Sequence, residues 1–374
     1  MTRIAISGTG FFVPPGSISN CELVDSFNEF ARRYNQRHAQ AIAAGHEAAI
    51  LKSSDDFIVK ASGIHRRHVV AREGMLDPAI MCPRIPERPN DALSLMAEIA
   101  IKAADDALNA AHRTPADIDA VIVAASVVQR FYPQIAIEVQ NALGIMGFGF
   151  DLLAACSSAT FGIDVAAALV AAGRARAVLV INPEICTSHL NLRDRETHFI
   201  FGDAATACVI EPARSADGEN CWEIVSTRLE SQFSNNIRNN FGPLNRFSPE
   251  TAGCPDKLIV QKGRKVFKEV VPMVSSFMLD HLAANNIASS SIRRLWLHQA
   301  NINMNSLIAR KVYGREPLPD EAPSILEEYG NTSSAGSVIA FHMFSRDLEP
   351  GSIGHLCSFG AGYTAGSVIL QKRG

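Results

Sequence analysis

Short apolar runs alternate along this chain with longer stretches whose apolar positions recur every three or four residues. The short runs, at residues 4–8, 120–125, 148–154, 177–181, 294–297 and 355–359, have the length and composition of buried strands. The longer ones, at 92–111, 134–143, 157–172, 273–284, 304–312 and 331–344, have the period of helices. Asp91 is placed to cap the first helix, and Gly144, Gly173 and Gly314 stand where helices stop. Strand and helix in alternation, with short Gly, Pro or Asp punctuation, predict an α/β protein with largely parallel strands.

The order of elements repeats. Cys156 stands between the strand at 148–154 and a helix; Asn331 stands in the same frame downstream, in Gly330-Asn331-Thr332-Ser333-Ser334-Ala335-Gly336. Ser126 precedes Cys156 by 30 positions and His298 precedes Asn331 by 33. Two copies of one supersecondary unit account for this spacing. The polar stretch 213–220 divides the copies, giving halves at 1–215 and 216–374. Two segments fall outside the repeat: a charged, Ala-rich helical insert at about 29–53, and a segment rich in Asn, Phe and Pro at 232–254, which reads as a cap over a site.

Composition narrows the function. At 374 residues and 47% hydrophobic, the chain can bury the core of two fused units. A net charge of −3 offers no global basic field for nucleic acid or a membrane surface. No apolar run reaches the length of a membrane span, and residues 1–6 enter a strand pattern without the charged and apolar regions of a signal peptide. The eight cysteines are scattered without a C-x-x-C pair. Neither a disulfide framework nor a metal site is expected, and a reducing, cytoplasmic setting fits.

Against that background Cys156 stands out. A thiol at a helix N-terminus meets free backbone N–H groups and the positive end of the helix dipole, so its pKa is expected to fall. Its small neighbours leave room for an acyl group. A buried structural cysteine is the alternative. His298 ends a strand, where sites form in α/β sheets, and His355 is its rival at a strand start. Asn331 reads either as the N-cap of its helix or, by its parallel with Cys156, as a site residue. The turn Phe359-Gly360-Ala361-Gly362 can aim a backbone N–H at a developing oxyanion. Asp203, in Phe201-Gly202-Asp203-Ala204, reads as a positioning residue.

Five ordered motifs carry a resemblance over nearly the whole chain: Ala155-Cys156-Ser157-Ser158-Ala159, Phe201-Gly202-Asp203-Ala204, His298-Gln299-Ala300-Asn301, Gly330-Asn331-Thr332-Ser333-Ser334 and Ser358-Phe359-Gly360-Ala361-Gly362. Together they resemble the β-ketoacyl-ACP synthase III family. The insert and residues 234–240 are most similar to its β-ketodecanoyl-ACP synthase branch. The resemblance implies a thiolase-type fold, a duplicated αβαβα five-layer architecture, and a homodimer. It implies ping-pong catalysis in fatty acid biosynthesis. Cys156 takes a medium-chain acyl group, octanoyl-like, from acyl-CoA; the N–H groups of Cys156 and Ala361 form the oxyanion hole; His298 and Asn331 hold the enolate made when malonyl-ACP loses CO2. CoA and ACP thioesters are substrates, and no metal or other cofactor is implied.

The resemblance also places Phe57 and Arg195 at the CoA site, Tyr132 at the dimer interface facing the partner's acyl tunnel, and Lys265, Lys268, Arg310 and Lys311 where an acidic carrier protein docks. Departures from the family are Ala361 for Gly, Phe57 for Trp, and Ala61 and Asn303 for arginines. They predict that CoA is held loosely or through Lys60, Arg66 and Arg67. Two other functions share this residue set. One is a related acyltransferase, running a non-decarboxylative condensation or transfer to a small nucleophile; Tyr132 lacks the carboxylate the former needs. The other is a non-catalytic protein that binds acyl chains or ACP.

Overall fold

The computed structural model describes residues 2–240, 248–251 and 254–374. The first half runs β1 (Ile4–Phe12), β2 (Gly16–Ser19), α1 (Asn20–Arg37), α2 (Ala39–Ala43), α3 (Asp55–Ser62), β3 (Arg66–Val69), α4 (Leu95–Ala110), β4 (Ala120–Ala125), α5 (Ile135–Leu143), β5 (Phe148–Leu153), α6 (Ser158–Ala171), β6 (Val178–Ile185) and β7 (Asp203–Pro212). The second runs β8 (Trp222–Ser231), β9 (Ile237–Arg238), β10 (Val260–Gln261), α7 (Gly263–Ala284), β11 (Ile292–Leu297), α8 (Ile302–Tyr313), α9 (Leu326–Tyr329), α10 (Ala335–Met343), β12 (Ile353–Gly360) and β13 (Thr364–Lys372).

Nine strands are hydrogen-bonded in the order β11-β12-β13-β8-β1-β7-β6-β4-β5. β1 pairs with β7 along its length but with β8 only from Ile4 to Ile6, so two sheets join at that short seam. β4 lies parallel to β5 and β6, and β11 parallel to β12, but the other five pairings are antiparallel, so the sheet is mixed rather than largely parallel as expected. Apolar faces dictate the layering. α4 and α5 cover the outer side of the first sheet through Ala100, Ala103, Ala107, Ile135 and Val139. α7 and α8 cover the second through Val270, Val274, Met278 and Ile308. α6 and α10 lie between the sheets, packed against strands of both. The result is α, β, α, β, α, as expected.

The middle layer explains why the site sits where it does. α10 is buried on nearly all sides and α6 along the face that meets both sheets, and both are rich in small apolar residues. Their small residues let two sheets close on them, and Trp222, Trp296 and Phe341 fill the remaining space edge-to-face, with ring centroids 4.8–5.8 Å apart. The residues that lead into these helices, Cys156 and Asn331, are thereby brought to the same end of the same layer.

Several boundaries differ from the sequence reading. α4 starts at Leu95 and is capped by Ser94, whose Oγ accepts from Ala97 N at 3.1 Å; Asp91 lies in the preceding turn. α7 begins at Gly263, ten residues before the expected start. The expected insert at 29–53 is only the second half of α1, which starts at Asn20 behind a capping box at Ser19 and Glu22, then short α2 and irregular chain. Residues 241–247, 252 and 253 of the expected cap lie outside the described residues. All eight cysteines are free, and no helix among the described residues is long and apolar enough to cross a membrane.

Candidate active site

Cys156, His298 and Asn331 line one cavity of about 640 Å³. Each follows the carboxyl end of a strand or leads into a middle-layer helix. Cys156 is in a single 3-10 turn, Ala155–Ser157, between β5 and α6. His298 follows β11, its N–H bonded to Cys357 O at 2.8 Å. Asn331 is clamped by the Phe201-Gly202 strand entry, with Asn331 N donating to Ile200 O at 2.9 Å and Gly202 N to Asn331 O at 3.1 Å. A Cβ on Gly202 would strike the Tyr329 carbonyl, which is why that clamp takes glycine.

Asn331 is not the N-cap of α10. Ser333 adopts φ +50°, which delays the helix to Ala335. The Asn331 Oδ1 instead accepts from Ser333 N at 2.8 Å, forming an Asx turn. With Oδ1 occupied, the amide Nδ2 is the group left to donate into the cavity. Ser333 itself donates its hydroxyl to Cys156 Sγ at 3.3 Å. Ala155 also has a left-handed φ, +50°, so both halves use strained backbone to bring their polar atoms together.

The thiol contradicts one expectation. Burial pushes the Cys156 pKa up, to about 11, rather than down. The residue keeps some accessible surface, but that surface opens on the cavity rather than on bulk water. The Ser333 hydroxyl opposes the rise, the Glu184 carboxylate adds to it, and the N–H groups of Cys156 and Ala361 oppose it. Both N–H groups favour the sulfur anion, and backbone donors of that kind can serve a developing oxyanion. Gly360 permits the close approach to Cys156, since a Cβ there would lie 2.8 Å from both Cys156 Cβ and Cys156 N.

His298 is buried and its ring packs edge-on against Phe359, centroids 5.2 Å apart. Desolvation lowers its pKa to about 4, against a smaller backbone contribution from Ser333. It is therefore neutral at pH 7 and has one ring N–H to donate. The rival His355 is fully buried and does not line the cavity, and is bonded through Nε2 to Ser367 Oγ at 2.5 Å. Asp203 plays the expected positioning part: its carboxylate accepts from Val70 N, Thr187 N and Thr187 Oγ1 at 2.7–2.9 Å.

At the cavity rim, the guanidinium of Arg195 lies over the Phe57 ring, 3.7 Å from its centroid. Arg195 also donates to Lys52 O and pairs with Glu196. The two expected CoA contacts are thus one unit. Arg67 is a correction. It is buried, bonded to Ile18 O, Asn20 Oδ1 and Phe199 O, and holds loops rather than facing a ligand. Asn303 donates to Lys60 O, and Asn301 to Ala61 O, tying α3 to the start of α8. Lys265 and Lys268 are exposed on α7, Arg310 and Lys311 on α8; Arg310 pairs with Glu316 at 2.7 Å. Tyr132 is 89% exposed and does not reach the cavity of its own chain. Of the cap, Phe233, Ile237 and Arg238 line the cavity. Sequence reasoning missed Ser333 as a partner of the thiol, and Glu184 altogether.

The sequence pattern described as 3-oxoacyl-[acyl-carrier-protein (ACP)] synthase III matches residues 150–232, and that of the C-terminal part of the same enzyme matches residues 282–372. A β-ketodecanoyl-[acyl-carrier-protein] synthase of Pseudomonas aeruginosa is 58% identical over 93% of this chain and all of that one. The chain belongs to the 3-oxoacyl-ACP synthase III family. The β-ketoacyl-[acyl-carrier-protein] synthase III of Granulibacter bethesdensis is 30% identical over 99% of this chain and all of its own. The crystal structure of the Aquifex aeolicus synthase III superposes with a TM-score of 0.77 at 24% identity, covering 98% of this chain and 99% of that one. The Thermus thermophilus synthase III gives 0.72 at 26%, covering 98% of each. The αβαβα layering is therefore the thiolase-type fold, and the chain is an acyltransferase of the condensing type.

Proposed function

We propose that the enzyme loads a medium-chain acyl group, octanoyl-like in length, from acyl-CoA onto Cys156 and condenses it with malonyl-ACP to a 3-oxoacyl-ACP. The observation that carries this reading is the shared cavity, which Cys156, His298 and Asn331 all line. The chain length rests on the 58% identical β-ketodecanoyl-ACP synthase.

The chemistry follows from the groups present. Cys156 attacks the thioester carbonyl, and the N–H groups of Cys156 and Ala361 take the developing oxyanion; each such donor is worth about 3 kcal/mol in comparable sites. The CoA thiolate leaves, carrying the proton that the thiol gave up. Malonyl-ACP then loses CO2, and the electron pair of the broken bond becomes an enolate. His298 and Asn331 each donate a hydrogen bond to its oxygen. The enolate carbon attacks the acyl-cysteine, the C–C bond forms, the C–S bond breaks, and the departing thiolate takes a proton from solvent to restore the resting thiol. The leaving carboxylate supplies the carbanion, so the reaction calls for no metal or redox cofactor.

Phe57 with Arg195 stacks and pairs with CoA at the rim, and the exposed Lys265, Lys268, Arg310 and Lys311 receive the acidic carrier protein. A homodimer fits the outer strand β5. It is an edge of the nine-stranded sheet, and Phe131, Met146, Phe148 and Leu153 stand exposed around it. A cytoplasmic enzyme fits free cysteines and CoA as substrate. The test is a panel of acyl-CoA primers of increasing length assayed with malonyl-ACP. A maximum in kcat/KM near the octanoyl primer supports the reading; a maximum at acetyl-CoA overturns the medium-chain assignment.

A further inference from the structure

Glu184, on β6, is a buried carboxylate that the reaction as described does not use. Two serines give it four hydrogen bonds, beside a longer one from the Cys186 thiol. Ser126, at the end of β4, donates its N–H at 2.9 Å and its hydroxyl at 2.5 Å. Ser334, at the start of α10, donates its N–H at 3.2 Å and its hydroxyl. One side chain of the first half therefore fastens the residue next to Ser333 in the second. Ser333 is the residue that meets the Cys156 sulfur, and its N–H holds Asn331. A shift of the Ser334 anchor moves all three.

The charge on Glu184 acts at the same place. Among the described residues no cation pairs with it. The titratable groups about it are Cys156, Cys186, whose Sγ is 3.9 Å from Oε2, and, beyond Cys186, Asp203, already satisfied by Val70 and Thr187. A like charge beside a thiol disfavours thiolate.

We propose that Glu184 is a positioning residue that clamps the Asn331–Ser334 turn onto Cys156, and that its negative charge restrains ionisation of the Cys156 thiol. This rests on Cys156 being the nucleophile. Burial places the Glu184 pKa at about 7, against the opposing pull of Ser126 and Ser334, so the restraint varies around neutral pH.

Three variants separate clamp from charge. E184Q keeps the shape: its amide oxygen accepts from Ser126 N and Ser334, while its NH2 donates to a rotated Ser126 hydroxyl. Alkylation of Cys156 by iodoacetamide, read by peptide mass spectrometry across a pH series, is expected to shift its midpoint down by about one pH unit. An unshifted midpoint overturns the charge role. S334A and E184A loosen the clamp. Each is expected to lower kcat for malonyl-ACP decarboxylation, S334A by about tenfold and E184A further, as expected for lost charge-assisted hydrogen bonds, with little change in KM for acyl-CoA. Wild-type kcat in both overturns the clamp. Where circular dichroism shows E184A unfolded, S334A alone decides. A wild-type enzyme that takes no octanoyl adduct on Cys156 refutes the proposed function instead, and is scored separately.

Discussion

The hydroxyl of Ser333 donates to the sulfur of Cys156 at 3.3 Å, across 177 positions of sequence. The contact joins the two halves at the reacting atom. Replacing Ser333 by Ala removes the largest influence that lowers the thiol pKa. Acyl transfer from octanoyl-CoA should slow by about tenfold, in line with a hydrogen bond to a charged group, while KM for the acyl-CoA changes little. Stopped-flow release of CoA checks it; an unchanged burst rate would show that the sulfur does not need this donor.

Asn331 is placed for the second half-reaction. Its Oδ1 is spent on Ser333 N, so only Nδ2 is left to serve substrate. Asn331→Ala should spare acylation and slow condensation by about a hundredfold, the scale of one lost oxyanion donor. Single-turnover measurement of each half-reaction separates the two, and a loss confined to acylation would assign the amide another role.

Gly360 is the floor beneath Cys156. Ala at this position sets a methyl group 2.8 Å from Cys156 N and Cβ. The overlap should cost about 1–3 kcal/mol of stability and displace the nucleophile, so that activity falls more than Tm does. Calorimetry beside an acylation assay distinguishes this from simple unfolding.

Carrier docking is tested by Lys268→Glu together with Arg310→Glu. Both side chains are exposed, so the fold should tolerate them. KM for malonyl-ACP should rise by about tenfold, with a weaker salt dependence, while self-acylation by acyl-CoA is unaffected. Equal damage to both half-reactions would place the carrier elsewhere.

Acid should destabilise the protein. Burial holds His189, His198, His281 and His298 at about 4 and His355 at about 3, all below the ordinary 6.5. As pH falls below about 6.5 the unfolded chain gains protons that the folded chain refuses, so stability drops from there towards pH about 4. Glu184 and Asp203, raised to about 7 and about 6, act in the opposite sense, because the folded form keeps their protons. Asp105 and Asp151, also raised by burial, join them, but the five imidazoles outweigh these carboxyls. Tm should fall steadily over that interval; a flat or rising Tm would show that these rings are not buried neutral.

Much of this was legible in sequence because it is local. Apolar period placed the longer helices and six of the thirteen strands, β7, β8 and β13 of the main sheet not among them, and the matching frames of Cys156 and Asn331 follow from α6 and α10 sharing one layer. What depended on packing was not. A thiol at a helix start reads as acidic, but the closed middle layer desolvates it, and desolvation outweighs the backbone donors. Asn331 reads as a cap, but the left-handed Ser333 moves the helix start to Ala335. Arg67 reads as a ligand contact, yet loops distant in sequence close over it. Glu184 sits in an apolar strand, with no local pattern to link it to Ser126 and Ser334.

The most direct measurement is mass spectrometry of the wild-type enzyme after incubation with octanoyl-CoA, followed by peptide mapping. A single octanoyl adduct on Cys156, discharged when malonyl-ACP is added, is expected. No adduct, or an adduct on another residue, would contradict the assignment of Cys156 as the nucleophile.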